Sequence, residues 1–381
     1  MNIVITPKKL CGSVTPPPSK SHTHRLLIAA ALADMPVHAP ADAVSDDISA
    51  TVRCLRALQE QQPLCDCGES GSTLRFLTPV AAALHGARFT GSERLSERPI
   101  EPLLSLLRDH GCTISEDKLP FTVSGGLQSG VYALRGDVSS QFVTGLLFAL
   151  PLLDGSSEIV LTTPLQSRGY VDMTLQVLAQ FGIEILEKDS GFLIPGGQRY
   201  TAPQEKPIPE GDWSGAAFWY GVNACGGSVK VNGLNGPSAQ GDSVVASLAQ
   251  TLPDVIATGN IPDLVPVLSI MACKKAGDTH FVNAQRLRLK ESDRLEACVQ
   301  MILALGGSAE NTQDTLTVHG NGCLRGGTVN GMNDHRIVMS AAVASCLCTE
   351  PVTITDANAV NKSYPAFWQD FEQLGGSIHV L

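Results

Sequence analysis

Six times along this chain, a helical segment apolar on nearly every face is followed by one apolar on a single face. The first kind starts near Ser21, Ser72, Ser139, Asp212, Pro262 and Asp334, the second near Asp46, Glu97, Arg168, Gly241, Glu291 and Tyr364. A helix apolar all round belongs in a core, and an amphipathic one lies over it. Amphipathic copies such as Leu107-Arg108-Asp109-His110-Gly111 and Leu178-Ala179-Gln180-Phe181-Gly182 end on the Gly that favours a helix C-terminus. Short alternating runs, among them Glu158-Ile159-Val160-Leu161-Thr162 and Ser228-Val229-Lys230-Val231-Asn232, read as strands. The predicted unit is buried helix, strand, outer helix, strand, strand, and such a repeat constrains the architecture more than any local propensity. Residues 59–67 leave little room for a strand pair, so the first copy is expected to be truncated; the fourth is short near 253–260. Over 381 residues, six units divide into two domains of three, with a crossing near 232–241.

Charge then narrows the partners. The formal net charge is −10, so the surface as a whole repels nucleic acid and anionic lipid, and neither is an expected partner. An anionic substrate needs a local cationic cluster working against that field. No apolar run approaches the about 20 residues of a membrane helix. The opening Met1-Asn2-Ile3-Val4-Ile5-Thr6-Pro7 has no secretory signal character, and the 11 cysteines are odd in number and scattered. Reduced thiols and a cytoplasmic location are the expectation. Cys65-Asp66-Cys67 lacks the partner spacing of a zinc site, and no metal is expected.

Polar signatures sit where the buried helices begin. A helix N-terminus offers unpaired N–H groups and a partial positive charge, which suit phosphate. Pro18-Ser19-Lys20-Ser21-His22-Thr23-His24-Arg25 opens the first helix, Glu69-Ser70-Gly71-Ser72-Thr73-Leu74-Arg75 the second and Asp137-Val138-Ser139-Ser140-Gln141 the third. Asn260-Ile261-Pro262-Asp263 and Asn333-Asp334-His335-Arg336 open the fifth and sixth. Taken singly, each is as well explained by capping or a solvated charge. Two runs are denser: Ser92-Glu93-Arg94-Leu95-Ser96-Glu97-Arg98-Pro99, and Arg286-Leu287-Arg288-Leu289-Lys290-Glu291-Ser292-Asp293-Arg294.

In order and spacing these motifs, with Lys362, resemble the 5-enolpyruvylshikimate-3-phosphate (EPSP) synthase family over essentially the whole chain. The resemblance implies an α/β (α+β) fold of two domains, each of three βαβαββ repeats around buried helices, inside-out and barrel-like. The N-terminal strand then joins the C-terminal half, giving domains of 19–233 and of 1–18 plus 234–381, with the active site in the cleft between them. It implies transfer of an enolpyruvyl group from phosphoenolpyruvate to the 5-hydroxyl of shikimate 3-phosphate, in a monomer without cofactor. Shikimate 3-phosphate would contact Lys20, Ser21, Arg25, Ser139, Ser140, Gln141, Ser167, Tyr170, Asp263 and Lys290. Phosphoenolpyruvate would contact Lys20, Gly71, Arg98, Gln141, Arg294, Arg336 and Lys362. Asp263, Glu291 and Lys20 would be catalytic: Asp263 takes the proton of the attacking hydroxyl and Glu291 protonates the methylene carbon. The family is the target of glyphosate. Two positions depart from its pattern, Glu69 where Asn is usual and Arg286 where Asn is often found, so no substrate contact is carried to Arg286.

The residue types suit that chemistry. The two substrates bring about six negative charges together, and seven cations among these positions can meet them by charge-assisted hydrogen bonds. Adding a hydroxyl across an enol needs a base at the oxygen and an acid at carbon, tasks that two carboxylates can divide. The enol is already activated, so no cofactor is called for. A sister family acting on UDP-N-acetylglucosamine carries a reactive Cys before its Arg-Pro; here residues 91–99 contain none. A non-catalytic repeat scaffold would leave the Lys and Arg motifs without a purpose.

Overall fold

The computed structural model describes residues 1–39, 44–60 and 63–381, and shows a mixed α/β protein. The chain forms two compact units, one of Lys20–Pro209 and one of Met1–Ser19 with Glu210–Leu381. It begins with strands β1 (Ile3–Thr6) and β2 (Cys11–Val14), which belong to the second of these.

The Lys20–Pro209 unit follows with α1 (Lys20–Leu32), α2 (Asp46–Ala57), β3 (Leu64–Asp66), α3 (Gly71–Ala83), β4 (Ala87–Thr90), α4 (Glu93–Glu97), α5 (Glu101–Asp109), β5 (Thr113–Ile114) and β6 (Phe121–Ser124). Then come β7 (Val131–Leu134), α6 (Ser140–Ala149), β8 (Ser157–Leu161), α7 (Arg168–Gln180), β9 (Leu186–Lys188) and β10 (Gly191–Ile194). Nearly every residue of α3 and α6 is buried, and the two helices pack on each other. Their lack of a polar face leaves them no stable place but the interior. By contrast α5 and α7 bury one stripe each, through Leu103, Leu104 and Leu107, and through Val171, Val177 and Leu178.

The other unit continues with α8 (Trp213–Ala224), β11 (Ser228–Val231), α9 (Val245–Leu248), β12 (Val255–Ala257), α10 (Val265–Lys274), β13 (Gly277–Val282), α11 (Arg294–Ala304), β14 (Ser308–Asn311) and β15 (Leu316–Gly320). It closes with β16 (Gly327–Val329), α12 (His335–Ala344), β17 (Val352–Ile354), α13 (Phe367–Gln373) and β18 (Ser377–Val380). Here α8, α10 and α12 are the helices buried on all sides.

Four four-stranded sheets share one plan: a parallel pair, then two antiparallel additions. Their orders are β3-β4-β6-β5, β7-β8-β10-β9, β12-β13-β15-β14 and β16-β17-β1-β18. Among the described residues a further sheet consists of β11 and β2, paired in parallel from Ser228–Cys11 to Val231–Val14.

The expected domain boundary at 233 is corrected by about one helix and one strand: the division falls between 209 and 210, and Ser19 goes with the segment before it. The reason is pairing. Residues 210–233 hold β11, which pairs with β2, and α8, which packs on α10 and α12. The Ser19 amide donates to Glu210 O (2.7 Å) and the Asp212 amide to Pro17 O (2.9 Å). The expected truncation at 59–67 includes residues 61 and 62, which lie outside the described residues. The one strand described in that stretch, β3, pairs with β4 of the following sheet.

Candidate active site

In the Lys20–Pro209 unit, the starts of four helices carry the expected residues. Lys20 opens α1 and its Nζ donates to Asp47 Oδ2 of α2 at 2.8 Å. One turn on, Arg25 is 2% exposed and fully engaged. It donates to Thr174 Oγ1 (2.8 Å), Ser21 O (2.6 Å) and Tyr170 O (2.9 Å), and lies over the Phe76 ring. Burial lowers its pKa to about 9, which prepares the guanidinium for an anion able to offset lost water. Ser21 and Tyr170 thus meet Arg25 through their carbonyls.

Ser70 caps α3, accepting from the Thr73 amide at 3.2 Å. A Cβ on Gly71 would stand 2.5 Å from Arg75 Nη1 and 2.9 Å from Arg98 Cζ, so the absent side chain is what lets both guanidinium groups lie against the helix start. Arg75 is 4% exposed and donates to Pro99 O (2.7 and 3.2 Å) and Gly71 O (3.3 Å), fastening the Arg98-Pro99 turn to α3. Ser139 caps α6 through the Gln141 amide (3.3 Å), and Gln141 Nε2 donates to Ser72 Oγ at 3.0 Å. Ser140 and Ser167 are buried, and Ser167 holds a left-handed φ of 57° before α7.

The other unit gathers charge around Asp263. Its carboxylate accepts from Arg294 Nη1 (2.6 Å), Arg336 Nη2 (3.1 Å) and Lys290 Nζ (3.5 Å). Burial alone would raise the Asp263 pKa, but Arg336, Lys290 and Arg294 outweigh it and hold the group well below the usual carboxylate range. Burial lowers Lys290 to about 8, against the pull of Asp263. Arg294 is the hub, 1% exposed, also bonded to Glu291 Oε2 (2.5 Å) and Asp334 Oδ2 (2.8 Å). Asp334 caps α12 through the Arg336 amide (2.9 Å) and accepts from Ser292 Oγ (2.9 Å). Lys362 is buried, with Nζ donating to Asn333 O at 2.5 Å.

Each unit therefore brings its own share of the expected residues together. Sequence reasoning missed four partners: Asp47, Arg75, Asp334 as the mate of Arg294, and Asp242. Asp242 is fully buried; its Oδ2 accepts from Ser214 Oγ, and its Oδ1 has no hydrogen bond among the described residues. Burial, then Asp263 nearby, raises its pKa to about 7. The Gln240-Gly241-Asp242 run is short and weakly charged, so nothing in composition marked it. Among the described residues no cluster of His, Cys, Asp and Glu could hold a metal.

The EPSP synthase (3-phosphoshikimate 1-carboxyvinyltransferase) family model matches residues 4–66, 59–258 and 250–371. The chain belongs to the EPSP synthase family. A 3-phosphoshikimate 1-carboxyvinyltransferase of Clostridium kluyveri is 40% identical, with 99% of this chain and 98% of the relative covered. One of Clostridium novyi is 37% identical over 99% and 98%. The first alignment runs over 418 positions against 381 residues, so this chain lacks segments its relative has. An EPSP synthase structure from Acinetobacter baumannii shares the fold, with a TM-score of 0.80 at 22% identity over the full length of both chains. The family's enzymes catalyse enolpyruvyl transfer in the shikimate pathway, the route to aromatic amino acids. No helix among the described residues is long and apolar enough to cross a membrane.

Proposed function

We propose that this enzyme joins phosphoenolpyruvate to shikimate 3-phosphate using the two sets of residues just described, one from each unit. The observation that carries the reading is Asp263, a half-buried carboxylate surrounded by Lys290, Arg294 and Arg336, with Glu291 on the same arginine. With no substrate bound, those cations make Asp263 a poor base. Substrate phosphates and carboxylates would take over the cations, and Asp263 would gain basicity when a proton needs to be accepted. It then takes the proton of the 5-hydroxyl as the oxygen attacks the enol carbon. Glu291, which takes up a proton from water once the bound anions draw Arg294 away from it, gives that proton to the methylene carbon, making a methyl group. In the second half Glu291 takes a methyl proton back, the double bond re-forms and phosphate leaves with the proton held by Asp263.

The remaining roles are those that the family resemblance implies. Phosphoenolpyruvate is held by Lys20, Gly71, Arg98, Gln141, Arg294, Arg336 and Lys362. Shikimate 3-phosphate is held by Lys20, Ser21, Arg25, Ser139, Ser140, Gln141, Ser167, Tyr170, Asp263 and Lys290. Lys20 serves both and sits beside the reacting atoms. The enzyme works as a cytoplasmic monomer. Its two units are read as three βαβαββ copies each, the first truncated and the fourth short, a reading that the shared plan of the four larger sheets supports.

The test is selective loss. Arg98→Ala should weaken phosphoenolpyruvate by about tenfold or more, the worth of a charge-assisted hydrogen bond, and leave shikimate 3-phosphate little changed. Equal losses for both ligands in a calorimetric titration would remove Arg98 from the enol site.

A further inference from the structure

Four buried polar side chains run in an unbroken line to the start of α3. His24 Nδ1 lies 2.7 Å from Thr51 Oγ1, Thr51 Oγ1 lies 2.6 Å from Thr73 Oγ1, and Thr73 Oγ1 lies 2.7 Å from Ser70 Oγ. All four residues are at most 1% exposed. They come from three helices and the cap of the third, so the line is tertiary rather than local.

Such a line of hydroxyls can point either way. Pointing inward, Ser70 donates to Thr73, Thr73 to Thr51 and Thr51 to His24 Nδ1, which leaves the ring N–H on Nε2. His24 Nε2 is buried and has no hydrogen-bond partner among the described residues. Pointing outward, the ring carries its proton on Nδ1, and Nε2 keeps only a lone pair. A buried N–H without an acceptor is rarer than an acceptor without a donor, so the outward direction is the better one. Burial, with Lys20 and Arg25 nearby, keeps the imidazole neutral, so a single ring proton biases the sense of the line. Thr73 Oγ1 has a second acceptor in Asp47 O, but at 3.5 Å against 2.7 Å to Ser70 Oγ it is the weaker one.

Direction matters at the other end. Ser70 Oγ then accepts both the Thr73 hydroxyl and the Thr73 amide, so its two lone pairs are used and its own O–H remains to donate. That hydroxyl stands one residue before Gly71, where the Arg75 and Arg98 guanidinium groups lie against the helix start. We infer that Ser70 is a further substrate-binding residue, its hydroxyl turned outward by the His24–Thr51–Thr73 line to donate to an anionic group of phosphoenolpyruvate. The inference rests on the reading that this substrate binds against Gly71 and Arg98. Hydrogen bonds in a line polarise one another, and a donor pre-set in a dry site loses nothing to reorientation.

The experiment separates this role from plain support of the helix. Ser70→Gly removes the hydroxyl while Gly still caps a helix to within a few tenths of a kcal/mol of Ser. Thr51→Val keeps the shape of the middle link but frees Thr73 to accept, which lets the Ser70 proton turn inward. Both variants should raise the KM for phosphoenolpyruvate, Ser70→Gly by about tenfold, with the KM for shikimate 3-phosphate unchanged. Thr51→Ser should restore the wild-type value. Imidazole nitrogen shifts of the intact enzyme should place the His24 proton on Nδ1. A proton on Nε2, an unchanged KM in Ser70→Gly, or a Thr51→Ser that behaves like Thr51→Val would overturn the proposal. Arg98→Ala runs alongside: if it raises the same KM and Ser70→Gly does not, the Ser70 role alone falls. If Arg98→Ala leaves it unchanged, the reading of the enol site falls with it.

Discussion

Asp242 shows how one side chain can matter to the site while costing the fold. Burial and then Asp263 raise its pKa to about 7, whereas the unfolded chain would ionise it near the ordinary carboxylate value. A carboxyl with a raised folded pKa is a burden that grows with pH: between about 4 and 7 the unfolded state releases its proton first, and stability falls. Above about 7 the loss is complete and the curve from this group is flat. Asp242→Asn removes the titration and still offers an oxygen to Ser214. The variant should therefore melt at a higher temperature than wild type at pH 8, by several degrees, and the gap should close towards pH 5. A gap independent of pH would mean that Asp242 is not the titrating group. Arg336 and Asp212, which also act on this carboxyl, are unchanged in the comparison. The Ser214 contact was beyond sequence reading because Ser214 and Asp242 are 28 residues apart and no periodicity links them.

At the scale of elements, helix starts were the legible feature. Ser70, Ser139, Asp212 and Asp334 each cap the helix that follows, and each is a residue type whose short side chain reaches back to the first free amides. Partners across helices were not legible: that Asp334 holds Arg294, or that Arg75 clamps Pro99, depends on how the helices pack. Gly71 joins the two levels. A methyl group there would press on the far ends of Arg75 and Arg98, which can shift, so Gly71→Ala should fold but move the guanidinium of Arg98. The KM for phosphoenolpyruvate should rise, and the inhibition constant of glyphosate, longer and with less slack, should rise by a larger factor. Equal factors for both, or a rise for the substrate alone, would show that the inhibitor does not lie against Gly71.

Over the whole molecule, the helices buried on nearly every face, α3, α6, α8, α10 and α12, were readable because such burial leaves a plain apolar signature, and so were the thiols. The 11 cysteines suggested a reduced interior, and eight of them are buried, with Cys11 and Cys323 exposed and Cys346 intermediate. What the sequence could not show is that Cys54, Cys65 and Cys67 cluster, since Cys54 lies on α2 and the others on and after β3. The Cys54 thiol donates to Asp66 O, and the Cys65 thiol to Cys54 O. Reaction with an aromatic disulfide needs both access and thiolate. Burial pushes Cys112 up to about 11 and Cys273, Cys298 and Cys348 up to about 12, so access and ionisation fail together for the core set. Cys346, pushed up to about 11 by the same cause, should react slowly. Titration of the folded enzyme at pH 8 should consume two thiols quickly and a third slowly, with the remaining eight appearing only as the chain unfolds. Replacing Cys11 and Cys323 by Ser should abolish the fast phase without changing the slow one. A fast phase of five or more thiols would mean that the helical cores open far more readily than their packing implies.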